Sequence, residues 1–243
     1  MTLSNVRTHF TSDNAQCQYT PMKQTVPKTL TGAPPPVETA ERTYRGQNVG
    51  QRVQERRARL IEAAIKLYGT AGYHATSVKA VCMQAGLTER YFYESFANSD
   101  ALLCACCEQL MDVQRAKARM AYENAGEGME QRLQAMAESY AELLAANPEA
   151  ARLTLFEMEG VSPVVDRFLH AQLAKTAVQI EEVVFSGLHA RTRQGLQPAL
   201  LAIGLMGALY QLAKEWTRTD FKLPAKEIAR HIAALGAGAT HGW

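Results

Sequence analysis

Apolar residues recur along this chain with helical spacing from Arg52 onward, and no segment shows the strict alternation of a half-buried strand. Leu60, Ile61, Ala64, Ile65, Leu67 and Tyr68 form the first stripe, entered through Arg52, Arg56, Arg57 and Arg59. The pattern predicts a helix stopped by Gly69 and Gly72. Thr76-Ser77 then offers hydroxyl caps for a helix of about two turns, in which Val78, Val81, Cys82 and Ala85 fall at i, i+3, i+4 and i+7. Gly86 suits the left-handed residue that ends such a helix, Leu87 can plug the core, and Thr88 caps a third helix over 89–96. Two short helices around a glycine turn make a helix-turn-helix.

Asn98-Ser99-Asp100 is a further capping cluster and opens a long helix that reaches about residue 125, where Gly126 and Gly128 close it. More helices are expected over 129–146, 148–159, 163–193, 198–217 and 224–235, most with proline in the first turn. Residues 1–40 carry Pro21, Pro27 and Pro34-Pro35-Pro36 without any hydrophobic period, which reads as a disordered leader. The expectation is an all-α fold in three parts. These are a disordered leader (1–45), an N-terminal three-helix helix-turn-helix domain (46–98) and a C-terminal helical domain (99–243).

Composition narrows the picture. A 47% hydrophobic content supplies a sizeable core. The most apolar run, 199–210, is too short for the roughly 20 residues of a membrane-spanning helix. No secretory signal stands at the start, and five cysteines, with Cys104, Cys106 and Cys107 bunched together, make no disulfide framework. A reduced cytoplasmic protein without membrane contact is expected. The net charge of +2 conceals an asymmetry: residues 41–96 hold 9 Lys and Arg against 5 Asp and Glu, whereas residues 97–243 hold 14 against 17. The basic part is the part suited to phosphate.

The Arg-rich entry, Gly72-Tyr73, Thr76-Ser77-Val78, Ala85-Gly86-Leu87-Thr88 and Tyr91-Phe92-Tyr93-Glu94-Ser95-Phe96 occur in one order over about fifty residues. This stretch resembles the tetracycline-repressor (TetR) family. The resemblance implies an N-terminal unit that binds DNA and a variable helical domain that dimerises and often holds a small-molecule pocket. It places Thr76 and Ser77 where a helix N-terminus meets phosphate. It matches Thr88, Glu89, Arg90 and Tyr91 to the exposed first turn of the recognition helix, and Tyr93 to a tyrosine that touches the DNA backbone. Arg90 is the candidate for a bidentate contact to guanine, and Arg52 and Arg56 belong to the basic arm. Glu89 and Ser99 depart from the family pattern, and both departures remove positive charge. Phe92 and Phe96 read as ordinary core residues.

In the C-terminal half, small residues, Ala208 among them, interleave with Leu201, Leu205, Leu209 and Leu212, and Ile228, Ile232 and Leu235 form a second stripe. In the resembling family the last two long helices pair between subunits, so these residues are the expected dimer interface. Tyr140, Arg152, Phe156, His170 and Tyr210 are polar or aromatic positions on otherwise apolar helices and are the candidates for effector binding. The expected function is a homodimeric repressor that grips an inverted-repeat operator on double-stranded DNA and is released by a small-molecule effector of unknown identity. The sequence carries no phosphate loop, zinc-protease motif or nucleophile elbow, so no catalytic residue, cofactor or metal is expected. The rival reading is a helical ligand-binding or thiol-based redox-sensing protein with weak or no sequence-specific DNA binding, kept alive by Glu89, Ser99 and the cysteine cluster.

Overall fold

The computed structural model describes residues 39–185 and 197–241, with side chains over 49–185 and 197–238. Most of the expected leader, and the end of the helix expected over 163–193, lie outside the described residues. The chain divides into Met1–Arg42 and Thr43–Trp243. Only the first turn of α1 is described in the former unit, and all that follows concerns the latter.

Nine helices and no strand are found among the described residues. They are α1 (Thr39–Ala71), α2 (Val78–Ala85), α3 (Glu89–Ser95), α4 (Ser99–Asn124), α5 (Met129–Ala146), α6 (Pro148–Phe156), α7 (Pro163–Ile180), α8 (Pro198–Arg218) and α9 (Ala225–His241). A wider π turn, Glu181–Phe185, continues α7. The chain is already helical at Thr39, inside the segment the sequence assigns to the leader. Gly72, at φ +91°, ends α1. Gly69 does not stop the helix as expected. It lies within the last turn, where an added Cβ would run into the backbone of Glu149 at the start of α6. The glycine is there because α6 passes so close.

Two apolar cores fill the molecule. The first joins Leu60, Ala64 and Tyr68 of α1, Val81 of α2 and Phe92 of α3 to Leu102, Leu103, Cys106 and Cys107 of α4, with Leu153, Val165 and Leu169 closing it. Full burial of a side chain such as Phe92 contributes about 1.5–3 kcal/mol, so several such residues fix the three-helix unit on α4. The second core gathers Leu133, Ala141 and Leu144 of α5, Ile180 at the end of α7, Val184 and Phe185 of the π turn, Trp216 of α8, and Ile228 and Ile232 of α9. Helix α4 serves both regions: its first turns lie in the first core and its later turns face α5 and α7. The expected boundary at 98/99 therefore cuts through a continuous core.

No described helix is long and apolar enough to cross a membrane.

Candidate nucleic-acid interface and ligand cavity

The helix-turn-helix is built by local chemistry. Ser77 caps α2 by accepting the Ala80 N–H at 3.1 Å. Thr76 plays no part in that cap, because its hydroxyl donates to the Gly72 carbonyl at 2.7 Å and closes the turn before the helix. Gly86, in the left-handed region at φ +62°, reverses the chain after α2, and its N–H and that of Leu87 return to the Met83 and Cys82 carbonyls. Arg59 reaches across from α1 and donates to the Ala85 carbonyl at 2.6 Å, satisfying an end that the α2 backbone leaves open. Thr88 holds the N-cap backbone conformation of α3, and its hydroxyl makes no capping bond.

Thr88, Glu89 and Arg90 are exposed together at the start of α3, while Phe92 and Phe96 turn inward as expected. Tyr93 is 60% exposed. Arg90 extends into solvent, its Nε donating to Glu94 Oε1 at 3.0 Å. Glu94 also faces Arg56 at 3.8 Å, and the Arg56 guanidinium lies 4.4 Å from the centre of the Tyr91 ring. Arg56 and Tyr91 thus brace α3 against α1. Arg57 stacks similarly over Phe96 at 4.7 Å. Of the basic arm, Arg52 is exposed, whereas Arg56, Arg57 and Arg59 hold the unit together. Glu94, the hub of this arrangement, is not among the residues expected at the site, although its i+4 spacing from Arg90 is the signal that could have shown it.

The turn between α1 and α2 is tied to the rest of the molecule. Tyr73 donates its backbone N–H to Glu157 Oε2 at 2.8 Å and its hydroxyl to Asp100. Asp100 also accepts from the Ser162 hydroxyl at 2.7 Å. These hydrogen bonds, Tyr73 first, hold the Asp100 carboxyl below its usual range, while burial and the Asp100 carboxylate push the Tyr73 hydroxyl up. Glu157 is further paired with Arg152 at 3.8 Å.

In the C-terminal half, α4, α5, α7, α8 and α9 line a cavity of about 100 Å³. Its wall is mostly apolar, with Met111, Met136 and Met206, and carries the Tyr140 and Tyr210 rings. Arg115 stands on the polar side, donating to Gln172 Oε1 at 2.8 Å and so linking α4 to α7. A larger cleft of about 540 Å³ lies between α1, α2 and the α5–α6 junction, but it is open and lined by Arg59, Glu62, Lys66 and Glu149. A mostly apolar wall with a few polar groups is the usual form of a ligand site, which favours the smaller cavity.

The expected effector residues divide. Tyr140 and Tyr210 line the cavity; Arg152, Phe156 and His170 do not. Arg152 is at the Glu157 joint, Phe156 lies beneath the cations of Lys214 and Arg218, and His170 is exposed. The expected interface residues divide too. Leu205, Ile228 and Ile232 are buried in the protomer itself, Leu209 and Ile232 border the cavity, and Leu201 and Leu212 pack against the second core. Ala208 is half-buried, and Leu235 is 44% exposed. The outward stripe of α8 is Leu200, Ile203, Gly204 and Gly207, and that of α9 includes Ala234 and Leu235. The bulkiest apolar residues of an amphipathic helix go to its own core, which is why periodicity selected the inner stripe.

Cys104, Cys106 and Cys107 are free thiols that lie in or against the first core. Cys106 and Cys107 are fully buried and Cys104 partly so. Burial, ahead of neighbouring charges, pushes the Cys104 thiol to about 11 and Cys107 to about 12. No group of three or more His, Cys, Asp or Glu among the described residues is placed to hold a metal.

The sequence profile of bacterial regulatory proteins of the tetR family matches residues 60–106, the segment from the buried stripe of α1 into α4. The transcriptional activator FasR of Mycolicibacterium smegmatis is 25% identical over 183 residues, covering 72% of this chain and 79% of that protein. The regulator UidR of Escherichia coli K12 is 32% identical over 72 residues, 30% of this chain and 36% of its own length. Among solved structures, the fatty acid degradation regulator FadR of Bacillus halodurans superposes with a TM-score of 0.68 at 21% identity, over 75% of this chain and 95% of the other. FadR of Bacillus subtilis, solved in complex with stearoyl-CoA, gives 0.67 at 18% identity, over 76% and 99%. Over residues 60–106 the chain is similar to the tetR family of bacterial regulatory proteins, and the curated relatives it matches are helix-turn-helix regulators of transcription.

Proposed function

We propose that this protein is a homodimeric repressor that binds an inverted-repeat operator through α3 and releases it when a small molecule enters the cavity between α4, α5, α7, α8 and α9. The observation that carries the reading is the first turn of α3, where Thr88, Glu89 and Arg90 project from a helix braced on its inner side by Phe92 and Arg56. A recognition helix needs this combination of a rigid back and a free N-terminal turn to read base edges. Arg90 contributes the bidentate donor for guanine, Ser77 at the α2 N-terminus and Tyr93 meet phosphates, and Arg52 reaches the backbone from α1.

Two-fold pairing sets the spacing of two such helices at about 34–36 Å, one turn of the duplex. The exposed stripe of α8, with Leu200, Ile203, Gly204 and Gly207, and the Leu235 side of α9 form the pairing surface. Its glycines face open space and allow close helix approach.

The effector is an apolar molecule with an acyl chain. The Met-rich apolar wall supports this, as does the stearoyl-CoA held by the Bacillus subtilis relative. A volume of about 100 Å³ is below the ~300–1,000 Å³ of typical ligand sites, so entry requires the wall to move. Unbranched methionines supply that freedom.

Capture of genomic fragments by the purified protein, followed by footprinting of the strongest site, tests the reading. The expected result is a protected inverted repeat that is lost with Arg90→Ala and weakened by stearoyl-CoA. Absence of any enriched site would sink it. Since FasR is named an activator, a reporter fused to the bound promoter fixes the sign: expression must rise when the regulator is removed.

A further inference from the structure

We infer that the six-residue connection between α6 and α7, residues 157–162, transmits the state of the cavity to the helix-turn-helix, with the Tyr210 hydroxyl as the group that reads the cavity. This rests on the proposal that the cavity is the effector site.

Tyr210 stands on both sides of the cavity wall. Its ring lines the cavity, while the single proton of its hydroxyl is shared among Glu159 Oε1 and the Leu155 carbonyl, each at 3.3 Å, and the Thr154 carbonyl at 3.5 Å. Glu159 is held in turn by Lys214, whose buried ammonium donates to both carboxylate oxygens at 2.9 and 2.8 Å and lies 5.3 Å from the centre of the Tyr210 ring. Displacing the ring therefore disturbs the end of α6 and the anchor of the following connection together.

The same connection holds the DNA-binding unit. Glu157 accepts the Tyr73 N–H at 2.8 Å, and Ser162 donates to Asp100, which also receives the Tyr73 hydroxyl. Tyr73 lies in the turn that sets the direction of α2, so slackening 157–162 loosens both of its tethers. Other polar ties reach the cavity wall, such as Arg115 to Gln172, but they join α4 to α7 and do not touch that turn.

The test uses the full chain without DNA or effector. Amide hydrogen exchange at Tyr73 is compared in wild type, Tyr210→Phe, which keeps the ring and loses the hydroxyl, and Glu159→Gln, a substitution at a half-exposed side chain that leaves the core intact. Exchange at Tyr73 should rise at least about five-fold in both variants, while the amides of Phe92 and Leu103 stay within about two-fold of wild type. Unchanged exchange at Tyr73 in both variants, or equal acceleration throughout the first core, overturns the inference. Failure of the effector reading would appear separately, as absence of stearoyl-CoA binding to wild type.

Discussion

The backbone N–H of Tyr73 donates to a carboxylate oxygen of Glu157 at 2.8 Å, joining residues 84 positions apart in sequence. The turn before the helix-turn-helix is thus fastened by the C-terminal half of the chain. Asp100 completes the joint from α4 by accepting from Tyr73 and Ser162. Because hydrogen bonds from Tyr73 and Ser162 lower the Asp100 pKa, its contribution to stability is fully present above about pH 4 and is lost as the pH falls further, through the folded-state value. Urea unfolding of wild type and Asp100→Asn should show a constant stability difference between pH 8 and pH 5 that shrinks below about pH 4. A difference that vanishes already at pH 6 would contradict the assignment.

Arg90 and Glu94 form an exposed pair at 3.0 Å, a kind of contact that contributes about 0–1 kcal/mol to stability. Removing either side chain should leave thermal unfolding nearly unchanged and act on DNA instead. Arg90→Ala is expected to weaken operator binding by about 1–3 kcal/mol, roughly five- to 150-fold, with relaxed preference at one base pair. Glu94→Gln frees two arginines from a carboxylate and should strengthen binding to random DNA. Fluorescence titrations on operator and scrambled duplexes check both, and equal losses on the two duplexes would remove Arg90 from base reading.

Gly69 and Gly207 are both helical glycines and predict opposite outcomes. An alanine methyl at Gly69 meets the Glu149 backbone, and such overpacking costs about 1–3 kcal/mol, which should lower the melting temperature by several degrees. A Cβ at Gly207 has nothing within 4 Å in the protomer. Gly207→Leu should therefore preserve the fold and shift the protein from dimer to monomer in light scattering. A dimer that persists in both Gly207→Leu and Ile203→Glu would place the pairing surface elsewhere.

The cysteine cluster should be inert. With the Cys104 thiol pushed to about 11 and Cys107 to about 12, and attack requiring the thiolate, alkylation of the native protein at pH 8 should be at least about a hundred-fold slower than that of a free thiol. Timed iodoacetamide labelling with mass spectrometry checks this. Rapid modification of Cys104 would revive the thiol-sensing alternative.

Much of the fold could be read from the chain because it is written in local terms. The Ser77 cap, the left-handed Gly86 and the buried Phe92 are each determined by residues a few positions away, and the expected Met129–Ala146 helix coincides with α5. What escaped depends on distant partners. The apparent stop at Gly69 is an accommodation to Glu149, and the apparent phosphate arm at Arg56 and Arg59 is a brace within the unit. Tyr140 and Tyr210 stood out as aromatic residues on apolar helices, as did Arg152, Phe156 and His170 as polar or aromatic ones, and periodicity could not separate the inner pair from the rest. For α8 and α9 the large leucines and isoleucines mark the protomer's own core, so the outer stripe, being smaller and glycine-rich, left the weaker signal.

The first core also governs how this protein can be recombined. Because Phe92 and Leu60 share their packing with Leu102, Leu103, Cys106 and Cys107, a DNA-reading module cut at residue 98 would leave half of its interior on the discarded piece. Chimeras that graft this specificity onto another regulator must carry α4 at least through Met111, together with a recipient surface that replaces Leu153, Val165 and Leu169. The transferable unit is four helices long, and its compatibility with a new host is decided at the far end of α4.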